Sequence, residues 1–312
     1  MSAEGYPSSS GVEQAIRDAA RRAHEADPSV SVQERVRQEI FRRLLSRVFS
    51  EPGSDWILKG GTGVLARVQD GRSTLDIDLF RSGFTLEQSL VELRRLAEID
   101  LADHFSFIYR SHEPILAGDQ QIYTEGLRIV FDVYLGAKSR GNVKIDLVAG
   151  TGVTDEIVEQ HPVGALDLPR LPSSPYRLYP VVNQIADKIC ATLTVYPSGP
   201  STREKDLVDL VVLATTQEIH SGAMRSAIRA EAVRRHLPVP TAFVIPEQWG
   251  LAYARMARET PACADYPTAQ SAMRLMDRFL DQLLDGAVEY ARWDPHRRRW
   301  EAGMAEGENA CT

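Results

Sequence analysis

The sequence predicts an α/β (α+β) chain, with a mixed sheet in the first half and a helical second half. Three observations carry this expectation. Two short apolar runs near residues 56 and 75 are joined by a glycine turn and a brief helical pattern. Three further runs between residues 104 and 148 have the length and alternation of strands. Beyond Pro180 the apolar residues recur almost wholly at helical spacing.

In chain order, residues 1–10 read as a flexible lead and 11–26 as a polar, Arg-rich helix ending before Pro28. Ser31 and Glu34 have capping-box spacing, and Val36, Ile40, Phe41, Leu44, Leu45 and Val48 then recur on one helical face. Pro52-Gly53 ends that helix. A strand at 56–59, the glycine turn, a helix to Arg67 and a turn at Gln69-Asp70-Gly71 lead into the strand bearing Asp76 and Asp78. On it Leu75, Ile77 and Leu79 are expected to pack inward. Thr85 opens a helix with Leu86, Leu90, Leu93 and Leu96 on one face. Strands follow at 104–110, 128–135 and 143–148, the last two joined by a hairpin at 136–142. The proline-rich stretch 150–180 reads as a linker or wrapping loop. Helices are expected at 181–195, 201–216, 223–235, 246–257 and 269–290. The expected organisation is residues 1–50 as helices packing on the core, 51–175 as the sheet-bearing core, and 176–312 as a helical C-terminal domain.

Bulk properties narrow the function. With 312 residues, 43% of them apolar and 25% charged, the chain has ample core for one large domain or two ordinary ones. No apolar run approaches the roughly 20 residues of a membrane span, and residues 1–10 lack the regions of a signal peptide. The three cysteines, Cys190, Cys263 and Cys311, are too widely spaced for a zinc motif or a disulfide framework. These features predict a cytoplasmic protein. The net charge of −7 means that any RNA partner must be held by a local basic patch.

The chemistry is concentrated in two neighbouring segments. Lys59-Gly60-Gly61-Thr62 closes one strand, and Asp76 and Asp78 occupy the next. A strand places residues i and i+2 on one face, so the two carboxylates project together. Paired carboxylates suit Mg²⁺, a hard cation that keeps coordination positions for substrate phosphates. Gly60, Gly61 and Thr62 let main-chain N–H groups approach a phosphate at the start of a helix. The segment lacks the ending of a P-loop and the third glycine of a dinucleotide fingerprint. A phosphate cradle just before a metal-holding pair is what nucleotidyl transfer requires.

A third carboxylate is expected for two-metal chemistry. Asp146, alternating onto one face with Lys144 and Val148, is preferred to Asp132. Lys188 shares a helical stripe with Val181, Ile185 and Thr192. It either snorkels to water or faces a polar site, where it would act as a point charge on a triphosphate. Ser201 and Glu204 form a second capping-box pattern, and Arg203, Lys205, Asp206 and Asp209 crowd the first two turns of the helix it opens, a density that suggests an ordered polar network. Basic clusters at Arg234-Arg235 and Arg297-Arg298-Arg299, the latter beside Trp293 and Trp300, are either RNA contacts or solvated surface.

Taken in order, these motifs resemble the AbiEii/AbiGii toxin family, which includes the MenT toxins, among the DNA polymerase β-like nucleotidyltransferases. The likeness rests on Lys59-Gly60-Gly61-Thr62 with residues 73–78, on Lys144-Ile145-Asp146, on Ala186-Asp187-Lys188, and on residues 203–206 with Asp209. The wider superfamily has Gly-Ser where this chain has Gly61-Thr62. The resemblance implies a nucleotidyltransferase core, NTP as substrate and Mg²⁺ as cofactor. It further implies a toxin that adds nucleotides to the 3′ end of tRNA and blocks translation. Its partners would be tRNA and a cognate antitoxin, not DNA or a membrane. Asp76, Asp78 and Asp146 would hold metal, while Lys59, Gly60, Gly61, Thr62, Lys188 and Arg203 would contact the nucleotide. Asp206 and Asp209 would join Asp76, Asp78 and Lys188 as catalytic residues by positioning Lys188 or the nucleotide. The alternatives are transfer to a protein or small-molecule hydroxyl, and a non-catalytic NTP-binding regulator.

Overall fold

The computed structural model describes residues 5–115, 126–150, 152–196 and 199–302. Residues 1–4 of the expected lead, and Cys311, lie outside them. Ser9 and Ser10 already belong to α1 (Ser9–Ala26), whose N-cap Ser8 accepts a hydrogen bond from the Gly11 N–H. In α2 (Val32–Val48), Ser31 accepts from the Glu34 N–H as its spacing predicts, but the Glu34 carboxylate turns to Arg37 and Gln38 instead of closing the box.

The sheet has seven strands. β1 (Trp56–Lys59) leads through α3 (Gly60–Arg67) to β2 (Asp76–Ser82), and α4 (Leu86–Ala97) leads to β3 (Phe105–Pro114). β4 (Gly126–Leu135) and β5 (Lys138–Gly150) follow, then β6 (Val158–Gln160) and β7 (Tyr176–Leu178). The spatial order is β3-β4-β5-β2-β1-β7-β6. β2 runs parallel to β5 and β1 parallel to β7, while the other neighbours are antiparallel, so the sheet is mixed as expected. The stretch 150–180 is thus more than a linker: it supplies two strands, one of them hydrogen-bonded to β1.

Alternation divides the sheet into two unlike faces. Ile77, Leu79, Phe107, Ile129, Phe131, Ile145 and Leu147 pack with apolar residues of α1, α2 and α4 in one core. The opposite face carries Asp76 and Asp78 on β2 and Asp146 on β5, with a small apolar cluster of Ile57, Phe80, Val148 and Tyr179 beside them. Leu75 departs from the expected pattern. It precedes the strand and is 67% exposed.

The helical half begins with α5 (Val181–Leu193), a short ribbon of β8 (Val195–Tyr196) and β9 (Gly199–Pro200), and α6 (Glu204–Thr216). β10 (Ile219–His220), α7 (Ser221–Arg234), α8 (Leu251–Arg258) and α9 (Ala269–Met276) follow. The last helix continues through a π-type turn into α10 (Gln282–Leu284) and stops before Gly286, whose φ is +85°. A hairpin of β11 (Ala291–Asp294) and β12 (Arg299–Ala302) then pairs with β10. This half is therefore not wholly helical. Its apolar core also takes in Val64 of α3 and Val68 just after it, so α3 is wedged between the sheet and the helices.

Candidate active site

The site is built around the junction of β1 and α3. Lys59 lies opposite Asp78 across the β1–β2 ladder, and the chain turns into α3 at Gly60 with φ +59°. A Cβ on Gly60 would stand 1.8 Å from Asp78 Oδ2, so only glycine lets the main chain pass this close to the carboxylate. No side chain caps the start of α3, which leaves its leading N–H groups beside Asp78 as an anion-binding end. Gln184 of α5 clamps the turn by donating to the Gly60 carbonyl at 2.6 Å. The Thr62 hydroxyl is otherwise engaged: it donates to the Asp76 carbonyl at 2.9 Å, tying α3 to β2. A phosphate at this turn would therefore meet main-chain N–H groups before it met the Thr62 hydroxyl.

Strand register brings the acidic residues together. Asp76 lies opposite Lys144 and Asp78 opposite Asp146 on the parallel β2–β5 pair. Asp132 lies opposite Asn142, farther along β4, and pairs with Arg110 at 3.4 Å. Burial and the charge of Asp146 raise the Asp78 carboxyl above its ordinary value, against the pull of Lys59, Lys205 and Lys188. Asp146 itself is gripped by Arg128 of β4, whose Nε and Nη2 each donate at 2.8 Å to one of its two oxygens. Among the described residues no three His, Cys, Asp or Glu side chains converge as a metal cage. Asp76 and Asp78 nonetheless present hard oxygen donors on one face, and the repulsion that Asp146 exerts on Asp78 is one a cation would relieve. They fit a divalent ion such as Mg²⁺. Asp146 is a neighbour held back by Arg128.

Behind this face, α5 and α6 contribute a buried chain of charges. Lys188 does not snorkel. It is 5% exposed, with Nζ 2.5 Å from Asp209 Oδ2 and 3.3 Å from Asp206 Oδ1. Arg72 holds the other side of Asp209, with Nε 2.8 Å from Oδ1, and Arg203 holds Asp206. Arg72, Asp209, Lys188, Asp206 and Arg203 thus alternate in sign, three cations to two anions. Burial alone would raise the Asp206 carboxyl, but Arg203 and Lys188 hold it well below the usual carboxylate range. Burial would likewise discharge Lys188, but Asp209 and Asp206 keep its ammonium above the usual lysine value. The expected capping box at Ser201 and Glu204 does not form: the Glu204 carboxylate accepts instead from the Gly250 and Tyr253 N–H groups at the start of α8.

Two members of this site escaped the sequence reading. Arg72 sits in the turn before β2, just ahead of the 73–78 segment, and Arg128 is the one cation in a mostly apolar strand that also holds Asp132. Lys205, one of the same charged run, is exposed yet lies within electrostatic reach of Asp78; partial desolvation by the surrounding chain and the charge of Arg203 hold its ammonium below the usual lysine value. The candidate RNA clusters look different in three dimensions. Arg234 and Arg235 pair with Glu231 and Asp187, Arg297 and Arg299 with Glu301, and Arg298 with Asp265. Trp293 is fully buried and donates to the Ala214 carbonyl, while the Trp300 ring stacks on Phe279. Trp293 is thus core, and Trp300 is half-buried against it.

Comparison with known proteins places the chain. No protein of curated function matches it. Among solved structures it is similar to JHP933 from Helicobacter pylori, at 14% identity and a TM-score of 0.40, covering 86% of this chain and 88% of that one. A second H. pylori structure, described as a candidate nucleotidyltransferase, aligns at 14% identity and a TM-score of 0.38, over 86% of this chain and 91% of the other. The family model described as nucleotidyl transferase AbiEii toxin, type IV TA system, matches residues 43–279, which include the Gly60 turn, all three carboxylates and the charge chain. The protein belongs to the AbiEii family of nucleotidyltransferase toxins of type IV toxin–antitoxin systems.

Proposed function

We propose that the protein transfers a nucleotidyl group from an NTP to the 3′ end of tRNA, thereby blocking translation, and that a cognate antitoxin restrains it. The observation that carries this reading is the placement of Asp76 and Asp78 on one strand face, with the uncapped start of α3 against Asp78. A divalent cation held by Asp76 and Asp78, when bound, supplies charge neutralisation around the reacting α-phosphate. The N–H groups of Gly60 and Gly61 receive the distal phosphates. Lys59 and Lys205 add positive charge near Asp78, and Lys188 contributes from within its ion pairs. Arg203, with Asp206 and Asp209, holds Lys188 in place. In the reaction the acceptor oxygen bonds to the α-phosphorus, the α–β bridging bond breaks, pyrophosphate leaves, and the hydroxyl proton is released to solvent.

The net charge of −7, and the pairing of both basic clusters with acids, favour one competing acceptor: a hydroxyl on a protein or small molecule. Incubation with labelled NTPs, total tRNA and Mg²⁺ separates the two readings. Label in full-length tRNA, lost in Asp78→Asn protein that remains folded by circular dichroism, is the expected result. Label found only in protein or in small molecules would replace the tRNA reading. Undiminished labelling by Asp78→Asn would remove the carboxylate pair from the chemistry.

A further inference from the structure

Across β4, β5 and β2 a single row of register partners runs Arg128, Asp146, Asp78. The middle carboxylate is where the metal-dependent reading above needs a third oxygen donor, yet both its oxygens are taken. Arg128 Nε donates to Oδ1 and Nη2 to Oδ2, each at 2.8 Å, in the fork geometry that guanidinium and carboxylate share. The Asp146 side chain is 21% exposed and that of Arg128 is 42% exposed, so the arginine can swing into solvent without opening the core. The guanidinium fork takes one lone pair on each oxygen, and its positive charge opposes a divalent cation on those that remain. Asp76 and Asp78, by contrast, carry no salt bridge among the described residues.

We propose that Arg128 is a latch on the third carboxylate, and that an incoming phosphate releases it. Before substrate arrives, the site holds one cation, on Asp76 and Asp78, because the fork occupies Asp146. A phosphate offers the fork an equally good bidentate partner of higher charge. When the phosphate draws Arg128 across, Asp146 is freed to face Asp78 and complete a second cation site. Arg128 is thus a positioning residue that couples assembly of the metal site to occupancy by the nucleotide. The proposal rests on the reading of Asp76 and Asp78 as metal ligands.

The test counts and titrates Mn²⁺ on the full chain by electron paramagnetic resonance, with and without an α,β-methylene NTP that cannot react. Wild-type protein should bind one Mn²⁺ alone and a second only with the analogue. Arg128→Ala should bind the second without the analogue, about tenfold more tightly than wild type does, since removing a unit charge a few ångströms away is worth about a factor of ten. Arg128→Lys keeps the charge but can hold only one oxygen, so it should also gain the second ion. Adding Asp146→Asn to either variant should abolish the gain. If Arg128→Ala still binds a single ion, or Arg128→Lys behaves as wild type, the latch is wrong while the Asp76–Asp78 site stands. If wild type binds no Mn²⁺ that Asp78→Asn removes, the underlying metal reading fails instead.

Discussion

At the scale of single residues, burial decides what a charged side chain does. A lysine on an apolar helical stripe usually reaches water along its own stem, and its removal should then be harmless. Lys188 is enclosed instead by Asp206 and Asp209. Truncating it strands two buried carboxylates, with Arg72 and Arg203 as their remaining partners. Lys188→Ala should therefore lose activity and also about 3 kcal/mol of stability, the lower range for breaking a buried ion pair. Urea unfolding of the purified variant checks this, and an unchanged midpoint would return Lys188 to the surface-lysine class. Gly60 is decided by contact as well as conformation. An alanine there would meet Asp78 head-on at a positive φ, a backbone strain of about 1–3 kcal/mol before the clash is counted. Gly60→Ala should lower the melting temperature and abolish transfer, whereas Gly53→Ala, at φ +72° with open space around it, should show the modest strain alone.

At the scale of elements, periodicity made most of the scaffold legible, because amphipathic helices and alternating strands advertise their buried faces. The β1–α3–β2 unit lies where the pattern puts it, and the three strands after it do so in place but not in extent: β5 begins at Lys138, inside the connection expected at 136–142. What stayed hidden depends on partners distant in sequence. The three-residue strands β6 and β7 are too short to show alternation, and they exist because β1 offers β7 an edge. The Glu204 carboxylate had two helix starts within reach and serves the distant one. The arginines and tryptophans between residues 293 and 300 carry the composition of a nucleic-acid surface, but their pairing is set by the β10–β11–β12 sheet. There Trp293 fills the core against Phe279 at a centroid separation of 4.7 Å. Trp293→Ala should accordingly cost about 3–5 kcal/mol, as for other large aromatic truncations in a core. Any loss of tRNA labelling should follow the unfolded fraction measured by near-ultraviolet circular dichroism. A variant of wild-type stability that no longer binds tRNA would restore the nucleic-acid role.

At the scale of the whole molecule, the two halves are joined by charges as well as by apolar packing. Arg72, in the turn before β2, reaches Asp209 of α6 across the join; behind it, within the helical half, Lys188 of α5 bridges Asp206 and Asp209, and Asp187 of α5 pairs with Arg235 just after α7. These contacts fix how stability must respond to pH. Burial alone would raise all three carboxyls. Arg203 and Lys188 at Asp206, Arg72 and Lys188 at Asp209, and Lys59 with Arg235 at Asp187 outweigh it and leave each below its ordinary value. A carboxyl depressed in the folded state favours folding above its unfolded pKa and loses that contribution as pH falls through the folded one. Lys188 runs the other way. Held above the ordinary lysine value, it contributes fully below its unfolded pKa and less as pH rises through the folded one. The charge chain should therefore stabilise the join over a plateau from about pH 4 to about pH 10, the unfolded values of the two group types. Thermal unfolding followed across that range should show a flat midpoint that drops on the acid side. Asp209→Asn, which breaks the link from the β2 turn to α6, should lie lower across the plateau and fall less steeply in acid. If the wild-type midpoint held level well below pH 4, or if Asp209→Asn kept the wild-type acid slope, the carboxylates of this chain would not be what joins the sheet to its helical cover.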